Sequence, residues 1–134
     1  MELADKIRAA KRVYLIGNGG SHANAMHIAN DLLACGIRAY TLDAASLTAI
    51  ANDFGYEHIF SKWLATVGEK GDLLIALSGS GKSRNILNAL AMADEIGMES
   101  VLISDHLQTM DMQQSEEAQI ALGHELMRCL RPQN

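Results

Sequence analysis

An apolar run, Val13-Tyr14-Leu15-Ile16, passes straight into Gly17-Asn18-Gly19-Gly20-Ser21 and then into a helical stretch ending near Leu33. This junction leaves few folds open. A short run with a β-branched residue at each end suits a buried parallel strand, and the glycines allow positive φ and close backbone approach. Ser21 reads as the cap of the helix that follows. Strand, Gly-rich turn and helix N-terminus together aim backbone N–H groups and the positive end of a helix dipole at one spot, which suits an anion, most often phosphate. At about 100° per residue, Ser21, Asn24, His27 and Asp31 share one side of the helix, while Ala25, Ala29, Leu32 and Leu33 face elsewhere. A polar stripe therefore leads away from the anion site. A solvated face would also give such a stripe, but the surrounding residues are apolar almost all round, as in a buried helix.

The chain's 134 residues predict a single domain, 1–134, and its 49% hydrophobic content with one proline predicts a compact core. No run approaches the roughly 18 apolar residues that span a bilayer, and the charged N-terminal segment has no secretory pattern, so a cytoplasmic address without membrane contact is expected. Cys35 and Cys129 fit no metal or redox spacing and read as reduced thiols. A net charge of -5 with 11 basic residues argues against a nucleic-acid partner.

In chain order, Glu2 to Lys11 reads as a short helix, Gly36 as the stop of the helix begun at Ser21, and Arg38 to Leu42 as a second strand. Ala44 to Ala51 reads as one or two helical turns, broken by Asn52-Asp53-Phe54-Gly55. Tyr56 to Val67 resumes as an amphipathic helix ended by Gly68 and Gly71. Asp72 to Leu77 is a second clear buried strand, feeding Ser78-Gly79-Ser80-Gly81-Lys82-Ser83, another phosphate-type turn with hydroxyls at 78, 80 and 83. A helix to Gly97, a strand over Val101 to Ser104 and a last helix from Ser115-Glu116-Glu117 to Leu130 complete the pattern. Four strands alternating with helices predict a three-layer α/β domain with a parallel sheet of at least four strands in flavodoxin-like order, the first strand central. Both Gly/Ser turns then fall at the carboxyl ends of strands, where ligands bind.

Two common motifs do not fit. A dinucleotide fingerprint needs a third glycine where His22 stands. Gly81-Lys82-Ser83 resembles the end of a Walker A loop, but the leading glycine is replaced by Ala76, and Ser104-Asp105 is the one candidate for a magnesium partner.

Taken together and in order, Gly17-Asn18-Gly19-Gly20-Ser21, the stripe from His27 to Asp31, Ala51-Asn52-Asp53-Phe54-Gly55 and Leu77-Ser78-Gly79-Ser80-Gly81-Lys82-Ser83 resemble the SIS (sugar isomerase) family. More narrowly they are similar to its phosphoheptose isomerase group, which converts sedoheptulose 7-phosphate to a heptose 7-phosphate for surface polysaccharide. The resemblance runs well over Lys11 to Asp105 and loosely over Glu116 to Leu130. It implies a phosphorylated sugar as ligand, held by Asn18, Gly19, Ser21, Asn24, Ser78, Gly79, Ser80 and Ser83, with Asp53 near the sugar. It implies Asp31 as the catalytic carboxylate, where the isomerases have glutamate, and His124 as the partner acid or base. It also implies that His27 and Glu116 fall where some members hold a zinc ion, with glutamate where glutamine is usual.

There are departures. Asn24 replaces the aspartate of the isomerases and resembles non-catalytic relatives. The long N-terminal helices are reduced to Glu2 to Lys11, and a glycine-rich turn and fifth strand after Asp105 are mostly missing. The chain looks like a trimmed member, and a homo-oligomer, dimer or tetramer, is expected to cover its exposed edge and helix faces.

The chemistry itself suits aldose-ketose exchange, in which a base takes a proton beside a carbonyl and an acid protonates the oxygen, with no cofactor required. A solvated, ion-paired His124, sharing a face with Glu117 and Arg128, is the competing reading of that residue. For the metal, His27 and Asp31 lie one turn apart and suit zinc, but Glu116 and His124 stand about 80° apart on their helix. A plain His-Asp hydrogen bond explains the first pair equally. Two functions stay open: an isomerase acting through Asp31 and His124, or a binding module for a phosphosugar or a protein partner.

Overall fold

The structure is a computed structural model and describes residues 1–104 and 110–132. Its elements are α1 (Glu2–Ala9), β1 (Val13–Gly17), α2 (Gly20–Ala34), β2 (Ala39–Thr41), α3 (Ala44–Phe54), a 3₁₀ turn (Tyr56–His58), α4 (Ile59–Val67), β3 (Leu73–Leu77), α5 (Arg84–Ile96), β4 (Glu99–Ile103) and α6 (Met112–Leu130). The four strands form one parallel sheet in the order β2-β1-β3-β4, with Val13 beside both Ala39 and Leu73. This is the flavodoxin-like order with β1 inside the sheet.

Alternation along β1 builds two cores. Val13 and Leu15 face α1, α2 and α6 with Ile7, Ile28, Leu32 and Leu126, whereas Tyr14 and Ile16 face α3, α4 and α5 with Phe60, Leu64, Ile86 and Ala93. All five residues of β1 and all five of β3 are buried, as a sheet covered on both faces requires. Tyr14 also sends its hydroxyl to the Val67 carbonyl at 2.9 Å and meets Trp63 edge-on at 5.3 Å. Among the described residues no helix is long and apolar enough to cross a membrane.

Small shifts separate the structure from the sequence expectation at α1, which ends at Ala9 rather than Lys11, at β2, which covers Ala39–Thr41 rather than Arg38 to Leu42, and at β4, which covers Glu99–Ile103 rather than Val101 to Ser104. Three further differences have a visible cause. Helix α3 does not break at Asn52 but runs to Phe54. Its N-terminus is held by Asp43, which accepts from the Ser46 N–H at 2.8 Å, and Asn52 donates to Asp53 rather than competing with the backbone. Only Gly55, at φ 100°, stops it, and the chain then makes the 3₁₀ turn before α4. Helix α6 begins at Met112, not Ser115, because Asp111 and Gln114 form a reciprocal capping box. Helix α2 begins at Gly20 with Gly19 as its cap, so Ser21 lies inside the first turn and caps nothing. The Asp105 end of the Ser104-Asp105 pair lies outside the described residues.

Candidate functional site

Both Gly/Ser turns meet at the carboxyl end of the sheet. Gly17 at the end of β1 pairs with Leu77 at the end of β3, which sets the two turns side by side. They are tied further by a reciprocal amide pair: Asn18 Nδ2 donates to Asn85 Oδ1 and Asn85 Nδ2 to Asn18 Oδ1, each at 2.9 Å. The Tyr56 hydroxyl adds a third bond to Asn18 Oδ1 at 2.9 Å. Asn18 therefore holds the turns together, a role that the sequence reading did not give it, with the buried Asn85 and with Tyr56 as unforeseen partners.

Ser21, Ser78, Gly79, Ser80 and Ser83 line one small cleft with Asn18, Leu77 and Met112. It encloses about 70 Å³, room on the order of five water-sized spheres, enough for an anion and too little for a whole sugar. Ser78 Oγ accepts from the Gly81 N–H at 3.0 Å and Ser80 Oγ from the Lys82 N–H at 3.1 Å. Each hydroxyl closes its own turn and keeps its proton to give. Ser83 caps α5 by position, with no side-chain bond to the helix. The turn thus presents hydroxyls and the N-terminus of α5 to the same spot.

The expected polar stripe on α2 divides in two. Helix α6 lies along it. At the upper end, Asn24 Nδ2 donates to the Glu116 carbonyl and to Gln119 Oε1, each at 2.9 Å, and Gln119 Nε2 donates to Ser21 Oγ at 3.0 Å. Gln119, 2% exposed, is a site neighbour that the sequence did not reveal. Further along, Gly123 packs so closely on Ile28 that a Cβ there would lie 2.5 Å from Ile28 Cγ1. This contact brings His124 Nε2 to 3.3 Å from His27 Nε2, with both imidazoles exposed. Asp31 Oδ2 lies 3.3 Å from His27 Nε2. It is out of line for a hydrogen bond, and this buried oxygen has no hydrogen-bond partner.

His27, Asp31 and His124 each offer a ligand atom, all within 4.8 Å of one another. Tetrahedral zinc with bonds of about 2.0–2.2 Å sets neighbouring ligand atoms roughly 3.3–3.5 Å apart, close to the two 3.3 Å separations found here. With an orphaned carboxylate oxygen among them, these three side chains fit a divalent cation. Glu116 does not join them. Its carboxylate lies against Gly20, at the opposite end of the α2 stripe, where a Cβ on that glycine would meet Oε2 at 1.8 Å. Asp53 is not brought to the cleft either: it is exposed in the last turn of α3 with Asn52 as its neighbour.

His22, in the place of a fingerprint's third glycine, is half-buried with Nδ1 unpartnered, and burial holds its pKa below the ordinary imidazole value. In the unfolded chain the ring takes up a proton near pH 6.5, whereas the folded chain resists it. The stability this confers is present above that value and is lost as pH falls through it toward the folded pKa. Urea denaturation at pH 7 and pH 5 should show a smaller acid loss in His22→Gln than in the wild type. Equal losses would place the acid sensitivity elsewhere.

Comparison with known proteins bears on these features together. Residues 2–104 match the model of the SIS domain. Phosphoheptose isomerases of Histophilus somni and Akkermansia muciniphila are 39% and 41% identical over 76% and 75% of this chain, which covers 56% and 57% of theirs. The chain thus spans little more than half the length of these relatives. The structure of the phosphoheptose isomerase of Neisseria gonorrhoeae superposes with a TM-score of 0.85 at 28% identity, over 96% of this chain and 80% of that one. With the parallel sheet, the paired turns and this match over most of its length, the chain belongs to the SIS domain family.

Proposed function

We propose that the protein is an aldose-ketose isomerase of a phosphorylated seven-carbon sugar, converting sedoheptulose 7-phosphate to a heptose 7-phosphate. The observation that carries this reading is the buried, unpartnered Asp31 oxygen at the far end of a stripe that begins in the Ser-lined cleft. From Ser21, His27 is about 9 Å and Asp31 about 15 Å along the helix at 1.5 Å per residue. An extended seven-carbon chain with its phosphate reaches roughly 10 Å at about 1.5 Å per bond. A phosphate held by Ser21, Ser78, Ser80 and Ser83 therefore lets the carbonyl end reach the level of His27, where the ligand atoms of Asp31 and His124 converge to within 4.8 Å of it and of each other.

There Asp31 takes the proton from the carbon beside the carbonyl, and His124 protonates the carbonyl oxygen as the enediol forms. Asp31 then returns the proton to the former carbonyl carbon, His124 takes back a proton from the neighbouring hydroxyl, and the carbonyl appears one position along. His27, between the two, orients both. Were zinc held by His27, Asp31 and His124, it would supply charge to stabilise a developing oxyanion, and Asp31 would be the weaker base for it. A homo-oligomer, dimer or tetramer, belongs to the same reading, since α2 leaves Met26 and Leu33 each 54% exposed beside the site. The names of the relatives support the substrate class.

Incubation of the purified protein with sedoheptulose 7-phosphate should yield heptose 7-phosphate. The same sugar phosphate should raise the melting temperature while unphosphorylated sedoheptulose does little, and Ser80→Ala with Ser83→Ala should abolish the shift. No product at high protein concentration, with the shift intact, would leave a binding module. Equal shifts in wild type and double variant would remove the cleft from the reading.

A further inference from the structure

The buried seam between α2 and α6 has a fixed polarity, and that polarity reaches the cleft. The Glu116 backbone carbonyl can only accept, so the Asn24 atom 2.9 Å from it is the amide nitrogen. That same nitrogen lies 2.9 Å from the Gln119 side chain, which must therefore turn its oxygen there. Gln119 is left with its nitrogen 3.0 Å from Ser21 Oγ, so the amide donates and the serine accepts. A hydroxyl has one proton and two lone pairs; with a lone pair taken by Gln119, the proton is turned away from it. Gln119 and Ser21 are 2% and 5% exposed, so water does not offer the seam another arrangement. Ser21 also lines the cleft, where a phosphate oxygen can only accept.

We propose that Asn24 and Gln119 are positioning residues that make Ser21 an obligate hydrogen-bond donor toward phosphate, an inference that rests on the phosphosugar reading above. Aspartate at position 24 has the same shape and the opposite consequence. It cannot donate to the Glu116 carbonyl, and it draws the Gln119 nitrogen to itself. The Gln119 oxygen then faces Ser21, whose proton is spent inside the seam, and the cleft receives a lone pair. Asn24 and Gln119 are thus a matched pair, and asparagine at 24 is compatible with a working phosphate grip.

Calorimetric titration of sedoheptulose 7-phosphate into the wild type, Asn24→Asp, Ser21→Ala and the double variant tests this. Each single change should weaken binding by about tenfold, the loss of one hydrogen bond to a charged group. The double variant should be no more than about twofold weaker than the weaker single, because the two changes remove the same bond. Losses that multiply would overturn the inference, since a repulsion from the introduced carboxylate acting directly on the phosphate persists without the Ser21 hydroxyl. Wild-type affinity in Asn24→Asp would overturn it also. Should Asn24→Asp fail to fold by circular dichroism, Gln119→Glu, whose carboxylate accepts from Asn24 and takes the Ser21 proton into the seam, enters the same cycle with the same expectation. No binding by the wild type would overturn the phosphosugar reading itself and this inference with it.

Discussion

Turnover of sedoheptulose 7-phosphate should fall by about 10²–10⁴-fold in Asp31→Asn, the usual worth of a positioned general base, while affinity for the sugar phosphate stays within about twofold. The substitution keeps the shape of a side chain packed at 13% exposure and removes only the charge and basicity. Ser21 lies ten residues away on the same helix, about 15 Å, so the phosphate grip should not register the change. Product formation and calorimetric titration on the same preparation separate the two quantities. Turnover within tenfold of wild type would put the base elsewhere. Parallel loss of binding would make Asp31 a ligand-holding group instead. Zinc analysis with and without a chelator completes the measurement: activity that survives removal of metal leaves Asp31 as a free base, whereas activity that vanishes with the metal assigns the carboxylate to holding it.

A second large effect is expected from one methyl group. Gly17 ends β1 where the chain turns into α2, and a Cβ there would lie 2.6 Å from the Ser21 carbonyl carbon, 2.7 Å from its oxygen and 2.8 Å from its Cβ. Two of these are backbone atoms, so no side-chain rotation relieves the clash. Gly17 is also paired in the sheet with Leu77, which leaves the first turn of α2 to move. Gly17→Ala should therefore cost about 1–3 kcal/mol, as overpacking does, out of the roughly 5–15 kcal/mol that holds a domain of this kind. Because the displaced turn carries Ser21 and the N-terminus of α2, phosphate affinity should fall by at least about tenfold, one charge-assisted hydrogen bond's worth. Thermal melts and titration check both. A variant that melts and binds as the wild type would show that the turn is looser than its packing implies.

The architecture was legible where a residue's own neighbours determine its fate. Val13 to Ile16 and Leu73 to Leu77 are apolar without interruption because helices cover both faces of the sheet, and the glycines after them mark the turns that line the cleft. Boundaries set by side-chain caps were less so. Asp111 and Gln114 look like any polar pair, and only their reciprocal bonds move the start of α6 to Met112. Least legible were residues whose meaning lies in another element. Asn85 and Gln119 are amides on helices, a pattern that ordinarily faces water, yet they are 3% and 2% exposed because Asn18 and Ser21 meet them across the fold. The nearness of His124 to His27 was hidden for the same reason, since it depends on Gly123 letting α6 close on α2. The helical period gave the stripe from Ser21 to Asp31 but not its division, since α6 takes Asn24 into hydrogen bonds and meets His27 through His124.

The amide pair joining the two turns constrains how this chain can drift over generations. Asn18 and Asn85 stand 67 residues apart in sequence and bond to each other donor to acceptor in both directions. A change at either one strands a desolvated amide on the other, which selection would register as a loss even when no ligand contact is touched. Substitution at these two positions therefore has to be nearly simultaneous, and lineages descending from this chain should keep or exchange the two asparagines together while the loops around them diverge freely.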